Sequence, residues 1–239
     1  ETGFPSINIA AAATLENGFL KIDEKEAMKY SRFFDKKKRR RKIVKFVPAS
    51  GAASRMFKML FTLLAEYDET EESYKKLFTD KGGIHSPKGF IENITKFAFY
   101  EDLKQSLSAA NLSIDELLAG KKYRTILEFL LTEKGLNYGN LPKGLLQFHL
   151  YPTQVRTALE EHLVEGAAYS RNYNNDVNIH FTVSPEFIAG FKSKVQEVKY
   201  SLQNEFSVKY YVDYSVQKAT TDTIAVTSDN KPFLNSDGS

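Results

Sequence analysis

Val44-Lys45-Phe46-Val47-Pro48-Ala49-Ser50-Gly51-Ala52-Ala53-Ser54-Arg55-Met56-Phe57-Lys58 is the stretch whose reading decides the fold. An apolar, β-branched run passes into small residues only, then Arg-Met, then an amphipathic pattern. That order predicts a buried strand over 43–47, a turn almost without side chains, and a helix start. A turn of this kind lets an anion approach the backbone. Its N–H groups and the positive end of the following helix then face that anion. Arg55 adds a forked cation beside it. The candidate anion contacts are therefore Ala49, Ser50, Gly51, Ala52, Ala53 and Ser54, with Arg55 as clamp. Ser54 is also a natural helix N-cap, and both roles can hold together.

Outward from this stretch, the flanks differ in texture. Asp23 to Phe34 predicts a short helix with Asp23 as cap and Glu26 three residues on. The run Lys36-Lys37-Lys38-Arg39-Arg40-Arg41-Lys42 follows. Without interleaved aromatics it reads first as a solvated loop, and a nucleic-acid or targeting patch is the weaker reading. From Phe57 to Leu131 the pattern is helical nearly throughout. Met56, Leu60, Leu63 and Leu64 form one face, and Ile126, Leu127, Phe129, Leu130 and Leu131 close the series. After Gly139 the texture changes again. Thr153 to Ala168 predicts a helix, Val177 to Val183 an alternating strand, and Ser184-Pro185-Glu186 a helix start. Ser207 to Val216 and Thr223 to Thr227 predict two further strands. Alternating strands and helices argue for an α/β fold, a doubly wound and mostly parallel sheet, with the helical block inserted into it. The implied organisation is 1–58 as cover, first strand and phosphate loop, 59–138 as helical insertion, and 139–239 as the continuing α/β domain.

Composition narrows the class. The 239 residues carry 42% hydrophobic and 26% charged side chains and a net charge of +3, as ordinary globular chains do. That charge is too small to argue for nucleic acid. The chain has no Cys, which excludes disulfides and thiolate metal sites. No apolar run approaches the about 20 residues of a membrane span, and no signal peptide is visible, so a cytoplasmic protein without membrane contact is expected. The start lacks Met, and a longer natural polypeptide is expected at both ends.

The phosphate loop and dinucleotide fingerprints are both missing from the turn, which offers only Gly51. The stretch instead resembles the Leu-Ala-Ala-Gly-x-Gly-Thr-Arg-Met signature of sugar nucleotidyltransferases, with Gly51 at the first glycine, Ala53 at the second, and Ser54-Arg55-Met56 at its end. Leu141-Pro142-Lys143-Gly144-Leu145-Leu146 resembles the Pro-Lys-x-Leu second half, displaced by roughly 85 residues. Over nearly its whole length the chain resembles the bacterial domain of unknown function 4301 family, through Gly3-Phe4-Pro5, Phe46 to Lys58, Leu141 to Tyr151, Phe181 to Phe187, Lys231-Pro232-Phe233 and Asp237-Gly238. The resemblance implies a nucleotide-diphospho-sugar transferase type of fold, distantly similar to UDP-sugar pyrophosphorylases. It implies a nucleotide and a sugar phosphate as ligands, and a Gly-rich Pro-Gly-Gly-His-Gly segment after Ser239. It also implies nucleotidyl transfer with pyrophosphate release. Arg55 would clamp the β- and γ-phosphates and Lys143 would reach the α-phosphate or the sugar phosphate. Gln217 and Ser184 would lie near the sugar. Mg²⁺ is implied, its carboxylate ligand expected beyond a strand after Ser239, with Asp213 and Asp222 as the weaker local candidates. A module that binds the nucleotide without catalysis is the alternative. The scattered His149, His162 and His180 argue against a histidine metal site.

Overall fold

The computed structural model describes residues 8–53, 55–79, 83–218, 226, 227, 229, 231 and 232, with only the backbone of Ile84. The chain divides into two compact units, residues 1–42 with 218–239 and residues 43–217. In the first, Asp23 caps α1 (Glu24–Lys38) through a 2.8 Å bond from the Glu26 N–H. The helix runs four residues past Phe34, because Lys36, Lys37 and Lys38 in the last turn suit its negative end. Asn17-Gly18 forms a turn in which the Phe19 N–H donates to the Thr14 carbonyl and Gly18 takes a positive φ. The strand expected over 223–227 lies mostly outside the described residues.

In the second unit, β1 (Val44–Pro48), β4 (Asp176–Val183) and β5 (Lys209–Val216) form a parallel sheet in the order β1-β4-β5. Val47 stands opposite Phe181, which stands opposite Tyr214. On one face Val177, Ile179, Phe181 and Val183 are buried beneath α8 (Ala158–Glu165) and α9 (Ile188–Phe206), which contribute Leu159, Leu163, Phe191, Val195 and Leu202. The alternation predicted for 177–183 is thus a half-buried strand. On the opposite face Phe46 stays 62% exposed while stacking on His180 at 5.5 Å. Within residues 43–217 helices cover one face only. The result is a mixed α/β fold with a small parallel sheet.

Between β1 and β4 lies a helical block with its own core. It comprises α2 (Lys58–Glu66), α3 (Glu71–Leu77), α4 (Pro87–Glu92), α5 (Tyr100–Ala109), α6 (Ile114–Ala119) and α7 (Tyr123–Leu131). Leu63, Leu103, Leu107, Ile126, Leu127 and Leu130 are its buried centre. A short hairpin, β2 (Gln147–Leu150) with β3 (Val155–Thr157), leads back to the sheet.

The helix expected over 153–168 is corrected at both ends. Val155 to Thr157 pair with β2, and the helix starts at Ala158. Thr157 is extended and closes a capping box with Glu160, giving and receiving one bond at each end. After Glu165 the backbone widens into a π-turn, Gly166–Ser170. There Gly166 lets the turn approach the sheet, since a Cβ would sit 2.8 Å from Val177 Cγ1. None of the described helices is long and apolar enough to cross a membrane.

Candidate functional site

The residues after β1 leave the sheet at its carboxyl edge, where ligands of parallel sheets gather. The Ala49 N–H still donates to the Thr182 carbonyl at 2.7 Å, extending the β1–β4 ladder by one residue. Beyond it the N–H groups of Ser50, Gly51 and Ala52 have no acceptor among the described residues. Gly51 and Ala52 are exposed, and a Cβ at Gly51 would meet nothing within 4 Å. Three successive donors are therefore without an acceptor among the described residues, which is what an anion requires of a backbone. Ala53 then turns inward. Its methyl is fully buried in the helical core, and its carbonyl accepts from Met56 and Phe57 at 2.9 and 3.2 Å. Ala53 thus takes no room from a ligand in front of Gly51, although it replaces the second glycine of the signature. Ser54 lies outside the described residues.

The two halves of the split motif meet. Ala52 and Pro142 form an antiparallel bridge, and the Lys143 N–H donates to the Gly51 carbonyl at 3.1 Å. Pro142 is buried, whereas the Lys143 side chain is exposed and has no ion-pair partner among the described residues. Gly144 fixes the approach. A Cβ there would overlap the buried ring of Phe191 on α9. No spacing rule in the sequence marks this contact, because Phe191 is 47 positions away.

Two more expected residues arrive from β4 and β5. The Ser184 hydroxyl does not cap the following turn. It donates instead to the Ser50 carbonyl at 3.3 Å, tying the loop to the end of β4. The Gln217 N–H donates to the Val183 carbonyl at 3.0 Å, so Gln217 begins the chain's exit from β5 beside Ser184. Loop 49–53, Lys143, Ser184 and Gln217 are therefore gathered at one end of the sheet. Arg55 is exposed on the same loop, and its side chain lines a cavity of about 490 Å³ with Lys58, Met59 and Thr62. Arg55 lines that cavity, whereas Lys143 does not.

For a divalent cation the chemistry of the donor set matters. Asp213 sits on the open face of β5, level with His180 and two residues before Ser215. Asp222 lies outside the described residues. His149 is on β2, His162 lies 3.2 Å from Glu165 on α8, and His180 lies 2.8 Å from the Ser215 hydroxyl. Among the described residues no three of these groups come together to hold a metal ion. Among the described residues around the loop, Asp213 has no further carboxylate or imidazole set with it that would hold Mg²⁺.

The whole chain, residues 1–239, matches the family model described as Domain of unknown function (DUF4301). No curated protein and no solved structure matches it.

Proposed function

We propose that this chain, which belongs to the DUF4301 family, is a sugar nucleotidyltransferase with a nucleotide-diphospho-sugar transferase type of fold. It would transfer a nucleotidyl group from a nucleoside triphosphate, UTP in the first instance, to a sugar 1-phosphate. The observation that carries this reading is the meeting of Gly51 and Ala52 with Pro142 and Lys143 at the carboxyl end of a parallel sheet. Among the described residues, three N–H groups without an acceptor and an ammonium without an ion-pair partner then lie on two bridged segments.

The reaction asks for charge neutralisation more than for covalent chemistry. An oxygen of the sugar phosphate attacks the α-phosphorus. The bond from that phosphorus to the bridging oxygen breaks, and pyrophosphate leaves with the electron pair. The N–H groups of Ser50, Gly51 and Ala52 hold phosphate oxygens in place. Lys143 neutralises the α-phosphate as the attacking oxygen closes on it. Arg55, a fixed guanidinium, meets the charge that builds on the leaving pyrophosphate. Ser184 positions the loop through the Ser50 carbonyl, and Gln217 offers an amide to sugar hydroxyls.

The test is pyrophosphate release from UTP with a panel of sugar 1-phosphates, using the longest natural form of the chain. We expect turnover with at least one sugar, reduced at least about 100-fold in Lys143→Ala and in Arg55→Ala, as for loss of a transition-state charge contact. UTP binding without turnover would favour the non-catalytic module. Neither binding nor turnover with any nucleotide would overturn the reading.

A further inference from the structure

A second cavity, of about 500 Å³, opens in the helical block and shares Met56 and Met59 with the one that Arg55 lines. Its size is that of a small-molecule site. Six aromatic rings wall it: Phe57, Phe90, Phe97, Phe99, Tyr138 and Phe148. They already pack on one another. Phe97 stacks on Phe99 at 5.2 Å, Phe90 tilts against Phe97 at 5.1 Å, and Phe99 meets Tyr138 edge-on at 5.7 Å. A ring entering this space finds the faces and edges that aromatic pairs favour.

The polar atoms inside are engaged with each other. The Gln147 side-chain NH₂ donates to Asp102 at 2.7 Å, the Gln147 backbone N–H donates to the Tyr138 hydroxyl at 3.3 Å, and that hydroxyl donates to the Gln147 side-chain oxygen at 3.4 Å. Burial pushes the Tyr138 hydroxyl up to about 12, so it stays neutral. An occupant's body need bring no hydrogen-bonding groups. The mouth is different. His85 and Lys96 are exposed there, Lys96 has only the Asn93 side-chain oxygen at 2.8 Å, and no carboxylate lines the cavity among the described residues. Met56, Phe148 and Leu150 remain 42%, 45% and 59% exposed at the same opening. Large apolar side chains gathered at a concave mouth mark a binding surface more than a chance exposure.

We propose that this cavity binds a small aromatic anion, its ring among the phenylalanines and its charge at Lys96 and His85. The two methionines, flexible and polarisable, form the wall that adapts to it. The site shares Met56 and Met59 with the cavity that Arg55 lines, but its aromatic walls do not include Ser50, Gly51, Ala52 or Lys143, and the proposal does not depend on the reading of the phosphate loop.

The probe is 1-anilinonaphthalene-8-sulfonate, whose fluorescence rises in apolar surroundings, titrated into the full chain. We expect one dye per chain and saturable binding. Lys96→Gln should weaken it at least about five-fold. Phe148→Ala, at an exposed position, should weaken it at least as much, and Ala98→Trp should abolish it by filling the space. Circular dichroism and thermal midpoints show whether each variant is folded, and the two surface variants suffice if Ala98→Trp is not. UTP at saturating concentration should leave dye binding unchanged. Binding unaltered in folded Lys96→Gln and Phe148→Ala, a stoichiometry above one, or displacement of the dye by UTP would each overturn the proposal. If UTP fails to bind at all while the dye behaves as expected, the phosphate-loop reading falls and this one stands.

Discussion

One hydrogen atom at Gly144 decides how close Lys143 comes to the loop. The backbone there lies against the Phe191 ring, and Phe191 has nowhere to go because it is wholly buried between α9 and the sheet. In Gly144→Ala the ring or the segment must move. Overpacking of this kind costs about 1–3 kcal/mol, which a urea titration of the variant will show as a lowered midpoint with an unchanged slope. The same substitution should reduce nucleotide affinity, since the bond from Lys143 to Gly51 is carried on the displaced backbone. The small residues before Arg55 advertise an open turn, so this half of the site was legible. The inward turn of Ala53 was not. A methyl in a row of small residues carries no signal of which way it points, and only the helical core that receives it decides.

At the scale of elements, β1, the following turn and β4 follow from local pattern alone: β-branched runs, alternation, and punctuation by small or polar residues. The segment 153–168 does not. Val155, Leu159, Leu163 and Ala167 repeat every four residues, yet Val155 belongs to a strand. β3 has three residues, too few to show a period of two, and its pairing with β2 is a tertiary fact. The boundary is set by Thr157, whose hydroxyl takes the Glu160 N–H while Glu160 takes the Thr157 N–H. Thr157→Ala is expected to cost about 1 kcal/mol, as loss of a helix cap does. Thr157→Ser should restore most of it. Differential scanning calorimetry of the pair separates the cap from the lost methyl.

At the scale of residues 43–217, two hydrophobic cores stand side by side, one under the sheet and one inside the helical block. The chain crosses between them twice. In the first crossing Ala49 packs on the sheet core while Ala53 and Phe57 belong to the helical core. In the second, Leu146 belongs to the helical core and Leu145 packs on the sheet core. The two crossings are bridged to each other at Ala52 and Pro142. A phosphate held there would touch both bodies, the usual position for a binding site between packed units. That helices fill this block is readable from its nearly continuous helical pattern. The aromatic cavity within the block is not, because phenylalanines at helical spacing read only as core.

The proposed function requires that the N–H groups of Ser50, Gly51 and Ala52, which have no acceptor among the described residues, receive a phosphate. Amide chemical shifts of uniformly ¹⁵N-labelled protein, followed while UTP is added, test it most directly. Saturable shifts are expected at these three amides and at Lys143, with much smaller changes at Phe97 and Phe99 in the aromatic cavity. Saturable binding that shifts the amides of α4 and α5 and leaves Ser50, Gly51 and Ala52 in place would contradict it.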